Sequence, residues 1–298
     1  MKTNENIEII KRAYSLIKNK YVFHRSTKYL QNCFWDNVPE EDYIKLDYKL
    51  KAIRQDFAKI LVIMNCIDAT YMKYQKDEFV STYNTIGENQ ATEELGCFIE
   101  YLFAKYRVVL EYIQQIMEIC IPPKFNDTQR EEYETRKKAH TKFKYLLKYV
   151  ADNIDERNFV LNMEWFQGIR IDRDFIIHDG ATCLVFGDKA NLLFKVMTTD
   201  AMEKEDVQPD MFYSTENGLI DYVSYWGLQL SKLIVFAETI MNFLIRIGTI
   251  SDARKSQIDF LFSSERNMSL DDGTGISDKQ DVLDKMLNKI INKEYLEV

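Results

Sequence analysis

Two long runs of apolar residues, recurring at steps of two to four, constrain this fold more than any other feature. From Glu40 to Lys76 the run is Ile44, Leu46, Leu50, Ile53, Phe57, Ile60, Leu61, Met64 and Ile67. From Ala91 to Ile121 it is Leu95, Phe98, Ile99, Leu102, Phe103, Tyr106, Leu110, Ile113 and Met117. That period is the helical one, so each run predicts a long helix with a buried stripe. The polar stretch Ser81-Thr-Tyr-Asn-Thr-Ile-Gly-Glu-Asn89 connects them. Pro122-Pro123 stops the second, because proline lacks a backbone donor and restricts the residue before it. Only 10 glycines and 4 prolines occur in 298 residues. That scarcity argues against barrels and sandwiches, which need a turn every 8–12 residues or so.

The rest of the chain continues the helical pattern. Asp127-Thr128 can cap a third helix running to about Asn153, and a fourth segment spans Asn158–His178. Gly180 then offers a left-handed helix stop. Thr182-Cys-Leu-Val-Phe, Gly187-Asp-Lys and Leu192-Leu-Phe-Lys-Val-Met read as a β-hairpin. An acidic loop follows over 198–210, with Asp200, Glu203, Glu205, Asp206 and Asp210, and then an apolar helix from Glu216 to about Ile250. The expected fold is mainly α, a helical bundle with one small hairpin after the fourth helical segment. Residues 1–89 form N-terminal helices on that core, 90–263 the bundle and 264–276 a linker. Residues 277–298 form a final amphipathic helix with Leu283, Met286, Leu287, Ile290 and Ile291 on one face, opened by a Ser277-x-x-Gln280 capping box. That helix either docks on its own domain or serves as a partner-binding arm.

The composition, 46% hydrophobic and 29% charged, is that of an ordinary globular chain. Its net charge of −8 means that any nucleic-acid contact must be local. The five cysteines show no C-x-x-C spacing and read as thiols in a reducing cytoplasm. No stretch of about 18 uncharged apolar residues exists. Met1–Lys11 has no signal-peptide core, so a cytoplasmic protein without a membrane partner is expected. Glycine-rich nucleotide loops, G-x-S-x-G, H-E-x-x-H and E-x-x-H are absent. Neither a cofactor nor a metal site is therefore expected.

One segment carries chemistry: Arg170-Ile-Asp-Arg173-Asp174-Phe-Ile-Ile-His178-Asp179-Gly180. It resembles the R-x4–6-H signature of the HEPN superfamily (higher eukaryotes and prokaryotes nucleotide-binding). Arg173 and His178 stand five apart, and polar Asp174 follows the arginine. The resemblance extends over roughly residues 90–250 in helical context, but only the motif is specific. It implies a metal-independent endoribonuclease of the toxin or antiviral-defence type, working at the cleft of a homodimer and leaving a cyclic phosphate end. An antitoxin or other protein partner fits the same picture.

The residue types suit that reaction. Histidine exchanges a proton near neutral pH, and arginine grips two phosphate oxygens with a permanent charge. Arg173 is thus assigned to the phosphate, and His178 to proton transfer or 2′-hydroxyl positioning. On an ideal helix the two lie about 140° apart, so they meet only if the helix breaks near His178 or the arginine bends across. Asp174 shares a helix face with both His178 and Arg170, and can hold the imidazole in one tautomer. The same three residues would equally make a helix-stabilising surface row.

A second candidate is the basic stretch Thr128–Val150. Its seven cations, Arg136, Lys137, Lys138 and Lys142 among them, face three glutamates. Tyr133, Phe143, Tyr145 and Tyr149 interleave. Cations and aromatics together can grip a phosphate backbone and stack bases. With Arg170, these four residues are the expected RNA contacts, provided their helix lies beside the motif helix. Otherwise they form a solvated face over a core stripe. The alternative to an enzyme is a non-catalytic HEPN-like module that binds a nucleotide, RNA or a protein.

Overall fold

A computed structural model describes residues 2–18, 23–35, 37–74, 90–154, 166–187, 191–196, 213–214 and 219–266. It is mainly α with a small antiparallel sheet, in line with the apolar periodicity. The centre is a pair of long helices, α3 (Glu40–Tyr74) and α4 (Gln90–Cys120), packed along each other. Three acids in the first turn of α3 and Lys73 in its last turn complement the helix dipole. Pro122 and Pro123 convert the end of α4 into a 3-10 turn, Pro122–Lys124.

Helices α1 (Lys2–Lys18) and α2 (His24–Cys33) pack against a later helix, α8 (Tyr222–Ile247), which also lies on α4. One hydrophobic cluster runs through all of these. Trp226, fully buried, packs edge-on to Phe103 with ring centroids 5.0 Å apart. Among the described residues α8 alone is long and apolar enough to cross a membrane. Yet 83% of its most apolar window is buried inside the fold. Helix α9 (Asp252–Arg266) closes the described chain against α2.

Four expectations need correction. The single helix drawn from Asp127 to Asn153 is two, α5 (Asp127–Glu134) and α6 (Ala139–Asp152). The break lies where the Thr135 hydroxyl, at 2.8 Å, and the Arg136 guanidinium both donate to the Glu132 carbonyl, which ends α5. The cap of α5 is Asn126, in a capping box with Gln129, rather than Asp127. The apolar helix drawn from Glu216 begins only at Tyr222, because Leu219–Asp221 is a strand. Finally, α9 runs to Arg266, into the stretch read as a linker from Ser264.

The hairpin forms as expected, from β1 (Cys183–Gly187) and β2 (Leu192–Val196), with Val185 opposite Phe194. It is part of a wider sheet. β3 (Tyr213–Ser214) and β4 (Leu219–Asp221) extend it in the order β1-β2-β4-β3. Asp221 ends β4 and caps α8, accepting from the Ser224 amide at 2.8 Å. The acidic loop and the final amphipathic helix lie outside the described residues.

Candidate functional site

The motif occupies α7 (Gln167–His178), which runs antiparallel to α4. At its start the Phe166 ring stacks on Tyr106 at 6.2 Å, and the Arg107 guanidinium lies over the Phe166 ring at 5.4 Å from its centroid. Ile169 and Asp172 are fully buried, so the helix fixes its rotation by pressing this face inward. At its far end Gly180 adopts φ +67°, a left-handed turn that glycine takes without strain. The Ala181 and Asp179 amides both donate to the Phe175 carbonyl, closing the helix. The chain then enters β1, where the Cys183 amide donates to the Glu100 carboxylate at 2.8 Å.

This rotation leaves the motif side chains at the surface. Arg173 bends across the helix despite the angular separation, and its Nη1 lies 3.3 Å from His178 Nε2. The same Nη1 donates to Asp174 Oδ1 at 2.9 Å. Arg170 Nη1 stands 4.0 Å from Asp174 Oδ2. The arginine side chain is 25% exposed, and His178 is exposed. A guanidinium can only donate, so this contact is a hydrogen bond in the tautomer that leaves Nε2 free to accept. Arg173 Nε, by contrast, is buried without a hydrogen-bond partner. Four predicted residues, Arg170, Arg173, Asp174 and His178, thus form one cluster. Asp174 accepts a hydrogen bond from Arg173 and forms an ion pair with Arg170, and its carboxylate is engaged by these arginines rather than by the imidazole.

The basic stretch lies elsewhere. Phe125 collects Tyr133, Tyr145 and Tyr149 around its ring at 5.5, 5.7 and 5.0 Å. Arg136 sits 4.2 Å over Tyr145, and Lys142 5.0 Å over Tyr133. Lys137 and Lys138 are exposed in the break between α5 and α6. Burial, reinforced by Glu118, pushes the Tyr133 phenol up to about 12, so it stays neutral under the cation. All of this gathers around the Cys120 end of α4, where α6 packs on it and Glu118 faces Tyr133, whereas the end of the motif helix leads to Cys183 at the Gly96–Glu100 level. Those levels are about 30 Å apart along the helix axis. The structure therefore forms two separate cationic sites rather than one.

Asp172, fully buried on the motif helix, lies outside the R-x4–6-H pattern. Its signal was present, since Ile169, Asp172 and Ile176 share one helix face, which puts this carboxylate on the apolar side. No group of three or more His, Cys, Asp or Glu side chains able to hold a metal occurs among the described residues. No protein-family model, curated protein or solved structure matches the chain.

Proposed function

We propose that this chain is a cytoplasmic, metal-independent endoribonuclease of the HEPN type, using Arg173 and His178 on RNA. The supporting observation is the 3.3 Å meeting of Arg173 Nη1 with His178 Nε2 at an accessible helix end. A neutral imidazole is the form able to accept the proton of a ribose 2′-hydroxyl. In the proposed reaction the phosphate displaces His178 from the guanidinium. Nε2 then takes the 2′-hydroxyl proton as the 2′-oxygen attacks phosphorus. The P–O5′ bond breaks, giving a 2′,3′-cyclic phosphate and, after proton return, a 5′-hydroxyl. Arg173 offsets the charge that builds on the phosphorane oxygens. The resemblance carries a homodimer with it, but the Arg–His pair forms within one chain, so this chemistry does not wait on a second motif.

A second reading, a non-catalytic module that binds a nucleotide, RNA or a protein, is favoured by Asp174. Its carboxylate 2.9 Å from Arg173 satisfies the charge that a scissile phosphate would need. One comparison separates the two. Wild type and His178→Ala are incubated with an RNA mixture in EDTA and scored for cyclic-phosphate ends, and both are expressed to follow growth arrest. His178 is exposed, so its removal changes folding free energy by less than about 0.5 kcal/mol, and lost cleavage then reports chemistry. Cleavage by wild type alone supports the enzyme. Equal behaviour of the two proteins removes it.

A further inference from the structure

Helix α3 carries two seams on opposite sides. The inner seam, Leu46, Leu50, Ile53, Phe57, Ile60, Met64 and Ile67, steps by four and three through the buried side that packs on α4. The outer positions 44, 48, 51, 55, 58, 62, 65, 69 and 72 step by four and three as well, and every one is exposed. Six of these are apolar: Ile44, Tyr48, Ala58, Val62, Ala69 and Met72. Ile44 is 47% exposed, Tyr48 66%, Val62 60% and Met72 62%. A 3.5-residue repeat kept over four heptads is what a coiled-coil partner reads. The inner seam fixes that spacing on the opposite face too; what sets the outer stripe apart is that six of its nine exposed positions are apolar.

We propose that this outer stripe is an interface where a second copy of the chain docks antiparallel, α3 against α3. Three observations choose that occupant. The stripe extends about 42 Å, and its four large apolar residues alone expose about 500 Å². Doubled by symmetry, that is roughly 1,000 Å², the floor for a specific interface. Charge disfavours a parallel arrangement. Glu40, Glu41 and Asp42 occupy the first turn and Lys73 the last. Lys45 already meets Glu41 at 2.9 Å and Asp42 at 3.3 Å, and antiparallel pairing keeps the two acidic ends apart. Parallel pairing would stack acids on acids. The size pattern is self-complementary too: Ala58 lies at the midpoint, where two backbones cross closely, with bulky Ile44 and Met72 at the ends. Lys51, Gln55 and Asn65 interrupt the stripe, and polar residues in such a seam set register at some cost in stability.

The inference does not depend on the ribonuclease reading, since α7 packs on α4 and takes no part in the stripe. The test is the mass of the full chain by sedimentation and light scattering, from low micromolar to hundred-micromolar concentration. Wild type, Val62→Glu, Tyr48→Glu and Ile177→Glu are compared. Glutamate is a better helix former than valine, so Val62→Glu folds, and circular dichroism verifies it. A wild-type dimer is expected, weakened about 100-fold or more by either stripe variant, because an unpaired carboxylate would be buried in each half. Ile177→Glu, on the motif helix, is expected to keep the dimer. A monomeric wild type overturns the proposal. So does a dimer that survives both stripe variants, or one that only Ile177→Glu dissociates.

Discussion

Adding one methyl group at Gly96 tests the joint that sets the motif helix against α4. A Cβ there would stand 2.7 Å from the Cys183 carbonyl oxygen, closer than a carbon and an oxygen tolerate. The obstacle is backbone at the start of β1, so no side chain can swing aside. α4 and β1 must instead separate by about half an ångström, an overpacking cost of about 1–3 kcal/mol. Moving β1 also stretches the bond from the Cys183 amide to Glu100, worth about 1 kcal/mol. Against this, alanine gains about 1 kcal/mol over glycine inside a helix. The net expectation for Gly96→Ala is a loss of about 1–3 kcal/mol, or roughly 2–6 °C in Tm for a chain of this size. Urea unfolding followed by far-UV circular dichroism measures it. Gly96→Ala as stable as wild type, or more stable, would mean that the close approach of β1 does not exist and that helix propensity alone decides.

Two further predictions concern other joints. Burial opposes the charge on Asp56, but hydrogen bonds from Lys59 at 2.6 Å and Lys105 at 3.3 Å outweigh it and hold the carboxyl below its usual range. A depressed carboxyl stabilises the fold above its unfolded value, near pH 4, and loses that contribution as pH falls through the lower folded value. Asp56→Asn should therefore be less stable than wild type at pH 7, with the gap narrowing below about pH 4. A constant gap in urea midpoints across that range would contradict the pairing. Asp221→Ala removes the cap of α8 and should cost about 1 kcal/mol, read from the same unfolding curves. Asp221→Asn, which keeps an accepting oxygen, should recover most of it.

Local patterns made much of this molecule legible. The apolar repeats of α3 and α4 marked two long helices to within a residue or two, because a buried helix face must repeat at the helical period. Pro122-Pro123 and Gly180 marked helix ends because their backbone limits act at the residue itself. The hairpin was readable because both strands and their connection lie within fifteen residues. The misread segments depend on partners distant in sequence or on side-chain capping. Leu219–Asp221 looks like the first turn of α8 until β2 pairs with it. The run from Asp127 to Asn153 looks continuous until the side chains of Thr135 and Arg136 take the Glu132 carbonyl.

For the candidate site, the amino-acid order alone determined that an arginine, a carboxylate and a histidine share the end of one helix. Ideal helix geometry left the arginine and the histidine well apart. Only the folded structure, by turning Ile169 and Asp172 inward, left Arg173 at the surface, where its long side chain reaches His178. The spacing between the motif and the basic stretch was likewise a tertiary matter. Both segments pack on α4 about twenty residues apart, and a rigid helix holds them apart by its rise over that span, about 30 Å.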